Sequence, residues 1–215
     1  MKALIVDDDD FTRFLLARTL RTFGFTDVAD ANSAAPAMEI FAHTRPDVVI
    51  LDLDLGPGPT GIDLGHAMRK KAPDLPIIIL SSYQDPRLLG ANKALPIGTI
   101  YLSKRSVGNA DFLKDAITTV MEAPCAERGR GDEPRIRTQG RTLSDNQVEI
   151  MRLVAEGCSN AEIARRRTLT EPAVAKAVAR LAKQLDLSAG PRENLRVLIA
   201  QAYFDLIGLS VIRRD

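Results

Sequence analysis

Along the first half of the chain, short unbroken apolar blocks alternate with longer stretches in which apolar residues recur at helical spacing. The blocks are KALIVD at 2–7, DVVILD at 47–52, PIIILS at 76–81 and TIYL at 99–102, with a weaker one, TDVAD, near 26–30. Near-continuous Val/Ile/Leu runs suit parallel strands covered on both faces. Helical patterns fall between them, from Phe11 to Thr22, Ala34 to Phe41, Gly61 to Lys71, Pro86 to Leu95 and Ala110 to Met121. This alternation predicts a doubly wound α/β domain with a five-stranded parallel sheet, whose ligands bind outside the carboxyl ends of the strands.

The pattern then changes. EAPCAERGRGDEPRIRTQGRT, residues 122–142, is rich in proline, glycine and charge and has no period, which is a linker composition. From Leu143 to about Ile207 the apolar residues keep helical spacing, broken near Gly157-Cys158 and Leu187–Pro191, and no strand is predicted after residue 122. The expected organisation is an α/β domain over 1–121, a linker over 122–142 and a small all-α domain over 143–215. Hydrophobic content of 45% is enough for a real core in each. The net charge of +1 argues against a uniformly basic nucleic-acid binder, but the ends differ. Thirteen Lys and Arg meet sixteen Asp and Glu up to Glu122, while sixteen basic and twelve acidic residues share the remainder. Cys125 and Cys158 are too distant for a disulfide framework, and His43 and His66 stand alone, so no soft-metal site is expected. No apolar run approaches the roughly 18 residues of a membrane span and no signal peptide precedes the first strand, so a cytoplasmic protein without membrane contact is expected.

The first strand block runs straight into Asp7-Asp8-Asp9-Asp10. Adjacent carboxylates raise the cost of ionising one another. A solvated acidic turn tolerates this; a bound cation removes it. Asp52 and Asp54 end a neighbouring strand, so several acids crowd one rim and form a hard oxygen site suited to Mg²⁺. Asp52 is no simple helix cap, because eight residues separate it from the helix at Gly61. Asp10 is read as the N-cap of the first helix, and Asp9 is given no role. Ser81 ends the fourth strand and Lys104 follows the fifth. Singly, these are a turn hydroxyl and an ion-pair partner. Together, on the acidic rim, they suit contact with a phosphoryl group on Asp52. The pair in DLDL also fits a haloacid-dehalogenase-type phosphatase, but those place it on the first strand, where another acidic pair already stands.

Acids after strands one and three, a hydroxyl after strand four and a lysine after strand five resemble the receiver domain of bacterial two-component response regulators, over residues 1–121. The resemblance implies that Asp52 accepts phosphoryl from a sensor histidine kinase. It implies Mg²⁺ held by Asp8, Asp52 and the Asp54 backbone carbonyl, with Asp7 acting through water. Lys104 would pair with phosphoryl oxygens, and Ser81 and Tyr101 would form the switch. No enzymatic turnover is implied beyond self-phosphorylation from small donors and dephosphorylation. One departure stands out: the family usually has Pro four residues and Gly eight residues after the acceptor. This chain has Gly56 and Thr60 there, with Gly61 one position late, as in a loop one residue longer.

In the helical part, Val148, Ile150, Met151, Leu153 and Val154 supply one apolar face, and Gly157 stops that helix. Ser159 with Glu162 reads as a capping box, and Thr170 as a second N-cap with Pro172 in the first turn. Val174, Val178, Leu181 and Leu185 form one stripe of the following helix. Two capped helices a few residues apart fit a helix-turn-helix. The stretch is similar to the LuxR-type helix-turn-helix of NarL/FixJ-type response regulators at Leu143-Ser144, Glu149, Gly157, Ser159-Asn160, Glu162-Ile163-Ala164, Thr170-Glu171, Val174 and Leu185. That resemblance implies a transcription regulator that binds double-stranded DNA as a homodimer when active. Its expected contacts are Lys176 and Arg180, with Asn160 and with Arg165 and Arg166 on backbone phosphates; Arg167 is either a phosphate contact or a packing defect. Ala175 and Ala179 replace usual polar contacts and leave few groups to read base edges. The alternative is a phosphorylation-controlled interaction or dimerisation module whose helix-turn-helix is degenerate.

Overall fold

A computed structural model of the chain describes residues 1–90, 94–105, 110–122, 137–138, 141–190, 192–207 and 209. It divides into two compact units, Met1–Ser82 with Lys93–Glu133, and Tyr83–Asn92 with Pro134–Asp215.

The first unit is a five-stranded parallel sheet in the order β2-β1-β3-β4-β5. Its strands are β1 (Lys2–Val6), β2 (Asp27–Ala31), β3 (Val48–Asp52), β4 (Ile77–Ser81) and β5 (Thr99–Ser103). Every residue of β3 and β4 is buried, as the unbroken Val/Ile/Leu runs require in the middle of a doubly covered sheet. Ala3, Ile5, Val48, Ile50, Ile78 and Leu80 share a core cluster with Leu16, Leu20, Leu113 and Ile117. That cluster places α1 (Asp10–Thr22) and α4 (Ala110–Glu122) on one face, while α2 (Ala34–Thr44) and α3 (Gly61–Lys71) pack together. Register brings Val6 beside Leu51, Asp52 beside Leu80 and Ser81 beside Ser103, so strand ends β1, β3, β4 and β5 share one rim.

Three expectations about the first unit and the linker are corrected. The helix predicted from Pro86 to Leu95 is a short 3-10 helix, Pro86–Leu89, closed by Gly90 with its backbone in the left-handed region at φ 78°. The apolar spacing there serves a different core, described below; residues 91–93 lie outside the described residues. Two two-residue strands, β6 (Arg137–Thr138) and β7 (Arg141–Thr142), pair antiparallel within the expected linker, too short to carry any periodicity. Most of that linker lies outside the described residues. The N-cap of α1 is Asp9, not Asp10: its Oδ2 accepts from the Thr12 N–H at 2.9 Å and from the Thr12 hydroxyl at 2.5 Å. These bonds hold its carboxyl below the ordinary range.

The second unit contains α5 (Asp145–Ala155), α6 (Asn160–Arg167), α7 (Glu171–Gln184) and α8 (Leu195–Leu206). Val148, Ile150, Met151, Leu153 and Val154 are all buried, and α5 closes through Gly157 at φ 81° with Cys158 N–H donating back to Leu153 O at 3.0 Å. Ser144 forms a full capping box with Gln147. Ser159 caps α6, but Glu162 does not complete the box; its carboxylate turns to Arg165 and Arg166 instead. Thr170 caps α7, which buries Val174, Val178 and Leu181 and leaves Leu185 half-buried at its end. The last helix starts at Leu195, where Asn194 caps it by accepting from Arg196 N–H at 2.9 Å.

The second unit has one further component. Tyr83 to Gly90 belong to it, with Leu88 wholly buried in the same cluster as Leu143, Met151 and Ile199. Among the described residues no helix is long and apolar enough to cross a membrane.

Candidate phosphoacceptor site and helix-turn-helix

The buried strands β1 and β3 deliver three acids to the rim. Asp7 follows β1 and is 1% exposed; Asp52 ends β3 and is 6% exposed; Asp8, one residue along, is open to solvent. One carboxylate oxygen from each lies within 4.8 Å of the others. Lys104, just beyond β5, bridges the two buried acids, with Nζ 2.7 Å from Asp7 Oδ2 and 2.9 Å from Asp52 Oδ2. Burial pushes the Asp52 carboxyl up to about 6; Lys104 opposes this and the Asp7 charge adds to it. Burial works against the charge on Lys104, but its bonds to Asp7 and Asp52 outweigh that and keep its pKa above the ordinary lysine value.

The donor set tests whether a divalent cation fits. Asp7 Oδ2 is buried and has no hydrogen-bond donor besides the Lys104 ammonium. Three hard carboxylates, two of them desolvated and adjacent, are what Mg²⁺ accepts. Among the described residues this is the one group of His, Cys, Asp or Glu side chains gathered closely enough to hold a metal.

Ser81 is fully buried at the end of β4, and its carbonyl accepts from Lys104 N–H at 2.7 Å. Tyr101 is half-buried on β5, in register with Ile79. Asp54 is half-buried, and its side chain accepts from Gly56 N–H at 3.2 Å. The displaced glycine also finds its reason. Gly61 N–H donates to Leu53 O at 2.9 Å, and a Cβ on Gly61 would stand 1.9 Å from the Asp52 carbonyl oxygen. The loop after Asp52 folds back until α3 touches the backbone of Asp52 itself, which only glycine permits.

Sequence reasoning missed Arg13. Its guanidinium donates to the Asp7 carbonyl at 2.7 Å and to Asp30 at 3.0 Å, and also pairs with Asp10. It thereby ties α1 and β2 to the acidic turn. The spacing Asp10 to Arg13 was visible, but nothing in the sequence points the side chain inward.

On the helical unit, α7 exposes Ala175, Lys176, Ala179 and Arg180 side by side. Arg165 and Arg166 are exposed but share Glu162, whose carboxyl they pull down to about 2. Arg166 also meets Glu156 at 3.3 Å, and Arg167 donates to Asn146 at 3.2 Å. Asn160 accepts from Arg196 at 2.7 Å, which occupies its carbonyl oxygen. Arg167 is exposed on α6 and disrupts no core packing.

A parallel sheet in this order, with buried acids and a lysine converging at its carboxyl rim, defines a receiver-type α/β domain, here followed by a helix-turn-helix. Residues 3–117 match the response regulator receiver domain family. The chain is 31% identical to the DNA-binding transcriptional activator DevR/DosR of Mycobacterium tuberculosis, over 87% of this chain and 89% of that one. It is 26% identical to the oxygen regulatory protein NreC of Staphylococcus haemolyticus, over 89% and 94%. The fold resembles that of RcsB from Salmonella enterica serovar Typhimurium bound to promoter rprA with phosphomimetic BeF3⁻, at a TM-score of 0.55, 22% identity and coverage of 95% and 98%. The chain belongs to the response regulator family, among its NarL/FixJ-type members.

Proposed function

We propose that this chain is a transcription regulator that binds DNA and is controlled by phosphorylation of Asp52. The observation that carries the reading is the rim cluster of Asp7, Asp8 and Asp52 with Lys104 bridging two of them. In this reading residues 1–121 are the receiver, 122–142 the linker and 143–215 the DNA-binding domain, and the protein works in the cytoplasm. A carboxylate oxygen of Asp52 attacks the phosphorus of a phosphohistidine on a sensor kinase. The new P–O bond forms as the P–N bond breaks, and the electron pair leaves with the imidazole. Asp8, Asp52 and the Asp54 carbonyl would hold Mg²⁺, with Asp7 acting through water; once bound, it would supply the positive charge that offsets the repulsion between the acids and the phosphoryl oxygens. Lys104, already at the Asp52 carboxylate, follows the charge onto the phosphoryl group. Ser81 supplies a hydroxyl from β4, and Tyr101 turns behind it.

Two phosphorylated copies pair and present two α7 helices to half-sites about 34 Å apart in the major groove. Lys176 and Arg180 are the exposed basic groups of α7 that support this. Asn160, Arg165 and Arg166 flank them, although the two arginines must first exchange Glu162 for phosphate. DevR/DosR is named a DNA-binding transcriptional activator, and the RcsB structure is a promoter complex. The second reading, a protein-interaction module, is favoured by the exposed alanines at 175 and 179 and by the internal pairing of the arginines.

The experiment is DNA binding of the purified chain across salt concentrations, with and without Mg²⁺ and acetyl phosphate. Sequence-dependent binding that tightens on phosphorylation and has a steep salt slope is expected. Phosphorylation that changes the oligomeric state yet yields no binding to genomic fragments would move the conclusion to the second reading.

A further inference from the structure

The Arg13 side chain is only 12% exposed, yet the acids it pairs with, Asp10 and Asp30, are 90% and 51% exposed. Ion pairs to such open carboxylates contribute little stability by themselves. Burying a guanidinium there needs another purpose, and its third partner supplies one. Nη1 donates to the Asp7 carbonyl at 2.7 Å, a charge-assisted bond to the peptide that joins Asp7 to Asp8. The ladder to β2 ends at this point, with Asp7 N–H on Ala31 O at 3.2 Å. Beyond it, Asp7 Oδ1 accepts from Asp9 N–H at 3.0 Å, and Asp9 caps α1. The turn is thus pinned on both sides of Asp8. The Asp8 carboxylate itself is exposed, so the backbone flanking it decides where it stands.

We propose that Arg13 is a positioning residue, which holds the peptide between Asp7 and Asp8 and thereby sets how tightly the rim takes its divalent cation. The proposal rests on the phosphoacceptor reading above. One oxygen each of Asp7, Asp8 and Asp52 lies within 4.8 Å of the others, and like charges so close repel. Asp7 and Asp52 are buried and share Lys104, whereas Asp8 can relieve the repulsion by swinging into water. The bond from Arg13 limits that escape by fixing the chain from which Asp8 projects. Electrostatics alone predicts the opposite sign: a guanidinium near the rim repels a cation, so removing it would tighten binding. Asp10 and Asp30 offset that charge where it stands, which leaves the bond to the backbone as the main contribution of Arg13 to the site. Groups that orient a metal's ligands typically matter by about ten-fold or more in affinity.

The test is Mg²⁺ titration of the full chain by calorimetry without a phosphoryl donor. It is paired with the rate at which acetyl phosphate adds mass as Mg²⁺ is varied. Arg13→Met is expected to need about ten-fold more Mg²⁺ in both measurements, yet to label at the wild-type rate once Mg²⁺ saturates. A merely structural role would lower the rate at every Mg²⁺ concentration. Arg13→Lys keeps the charge but has no planar fork to serve Asp7, Asp10 and Asp30 together, so its affinity should lie between those of Arg13→Met and wild type. Unchanged or tighter Mg²⁺ binding by Arg13→Met would overturn the proposal, as would a labelling rate that stays low at saturating Mg²⁺. If Arg13→Met loses helical structure, Arg13→Lys decides, and wild-type affinity there would show that charge suffices and overturn the clamp. Wild type that binds no Mg²⁺ and gains no phosphoryl mass is a separate signature: it removes the Asp52 reading, and the proposal with it.

Discussion

Replacing Gly61 with alanine sets one methyl group against the backbone of Asp52. Its Cβ would lie 1.9 Å from Asp52 O, 2.9 Å from Asp52 C and 3.2 Å from Leu53 Cα. Real Cβ contacts stay at or beyond 3.0 Å, so the carbonyl and the methyl must part by at least the 1.1 Å between those two figures. Backbone stands on both sides of the clash, and no flexible side chain can yield. Overpacking of this kind costs about 1–3 kcal/mol, with backbone-on-backbone cases at the upper end. Alanine regains at most about 0.5–1 kcal/mol from its helix preference. A net loss of about 2 kcal/mol is expected, roughly a 30-fold change in the folded-to-unfolded ratio. The displacement also exceeds what the 2.9 Å Lys104–Asp52 bond can absorb. Urea unfolding and acetyl phosphate labelling should therefore fail together. Gly65→Ala is the control, since its Cβ meets Pro96 Cγ at 3.1 Å, a side-chain atom able to shift by a few tenths of an ångström. Gly61→Ala with wild-type stability and full labelling would refute the reasoning.

Asp52→Asn should abolish labelling by acetyl phosphate without lowering stability, because it removes a buried, disfavoured charge; labelling that persists by intact mass would reassign the acceptor. Lys176→Ala with Arg180→Ala should abolish operator binding in a gel shift and leave helical content unchanged; full retention would strike both from the contacts. Glu162→Gln should free Arg165 and Arg166, strengthening non-specific DNA binding and steepening its salt slope; an unchanged slope would show that the two arginines do not reach phosphate. The Glu162 carboxyl is held near 2 against an ordinary 4.5, so its ion pairs contribute fully above the ordinary value and fade as pH falls toward 2. Any stability gap between wild type and Glu162→Gln should close over that window in thermal melts; a gap that widens there would reverse the assignment.

The parts of the molecule written in long periodic runs were legible. DVVILD and PIIILS fit only doubly covered central strands, and their ends place Asp52 and Ser81 at the rim. The caps Ser159 and Thr170 were equally plain. What failed depended on alternatives of nearly equal local energy. Asp9 and Asp10 are chemically identical cap candidates, and the Thr12 hydroxyl, which serves Asp9, tips the balance. Glu162 had either a backbone N–H or two arginines to satisfy it, and the charged partners won. PRLLGANKAL has helical spacing, yet Gly90 takes a left-handed backbone and Leu88 fills a core built from residues more than fifty positions away. No local pattern records such a partner. Gly61 stands one place late in the sequence, and its purpose lies in its closeness to the Asp52 carbonyl, which no local pattern records.

The membership of residues 83–90 in the helical unit bears on how such regulators can be recombined. A crossover in the linker is the natural seam for shuffling receivers and DNA readers between genes. Here that seam cuts through only one of the connections. A chimera joining the helices from Asp145 onward to a foreign receiver arrives without Leu88 in its core, without Arg87 on Leu143 and Asp145, and with the Tyr203 hydroxyl short of its acceptor. A chimera that carries the stretch after β4 along with the helices keeps that core filled, and one that leaves it behind needs another side chain in the place of Leu88.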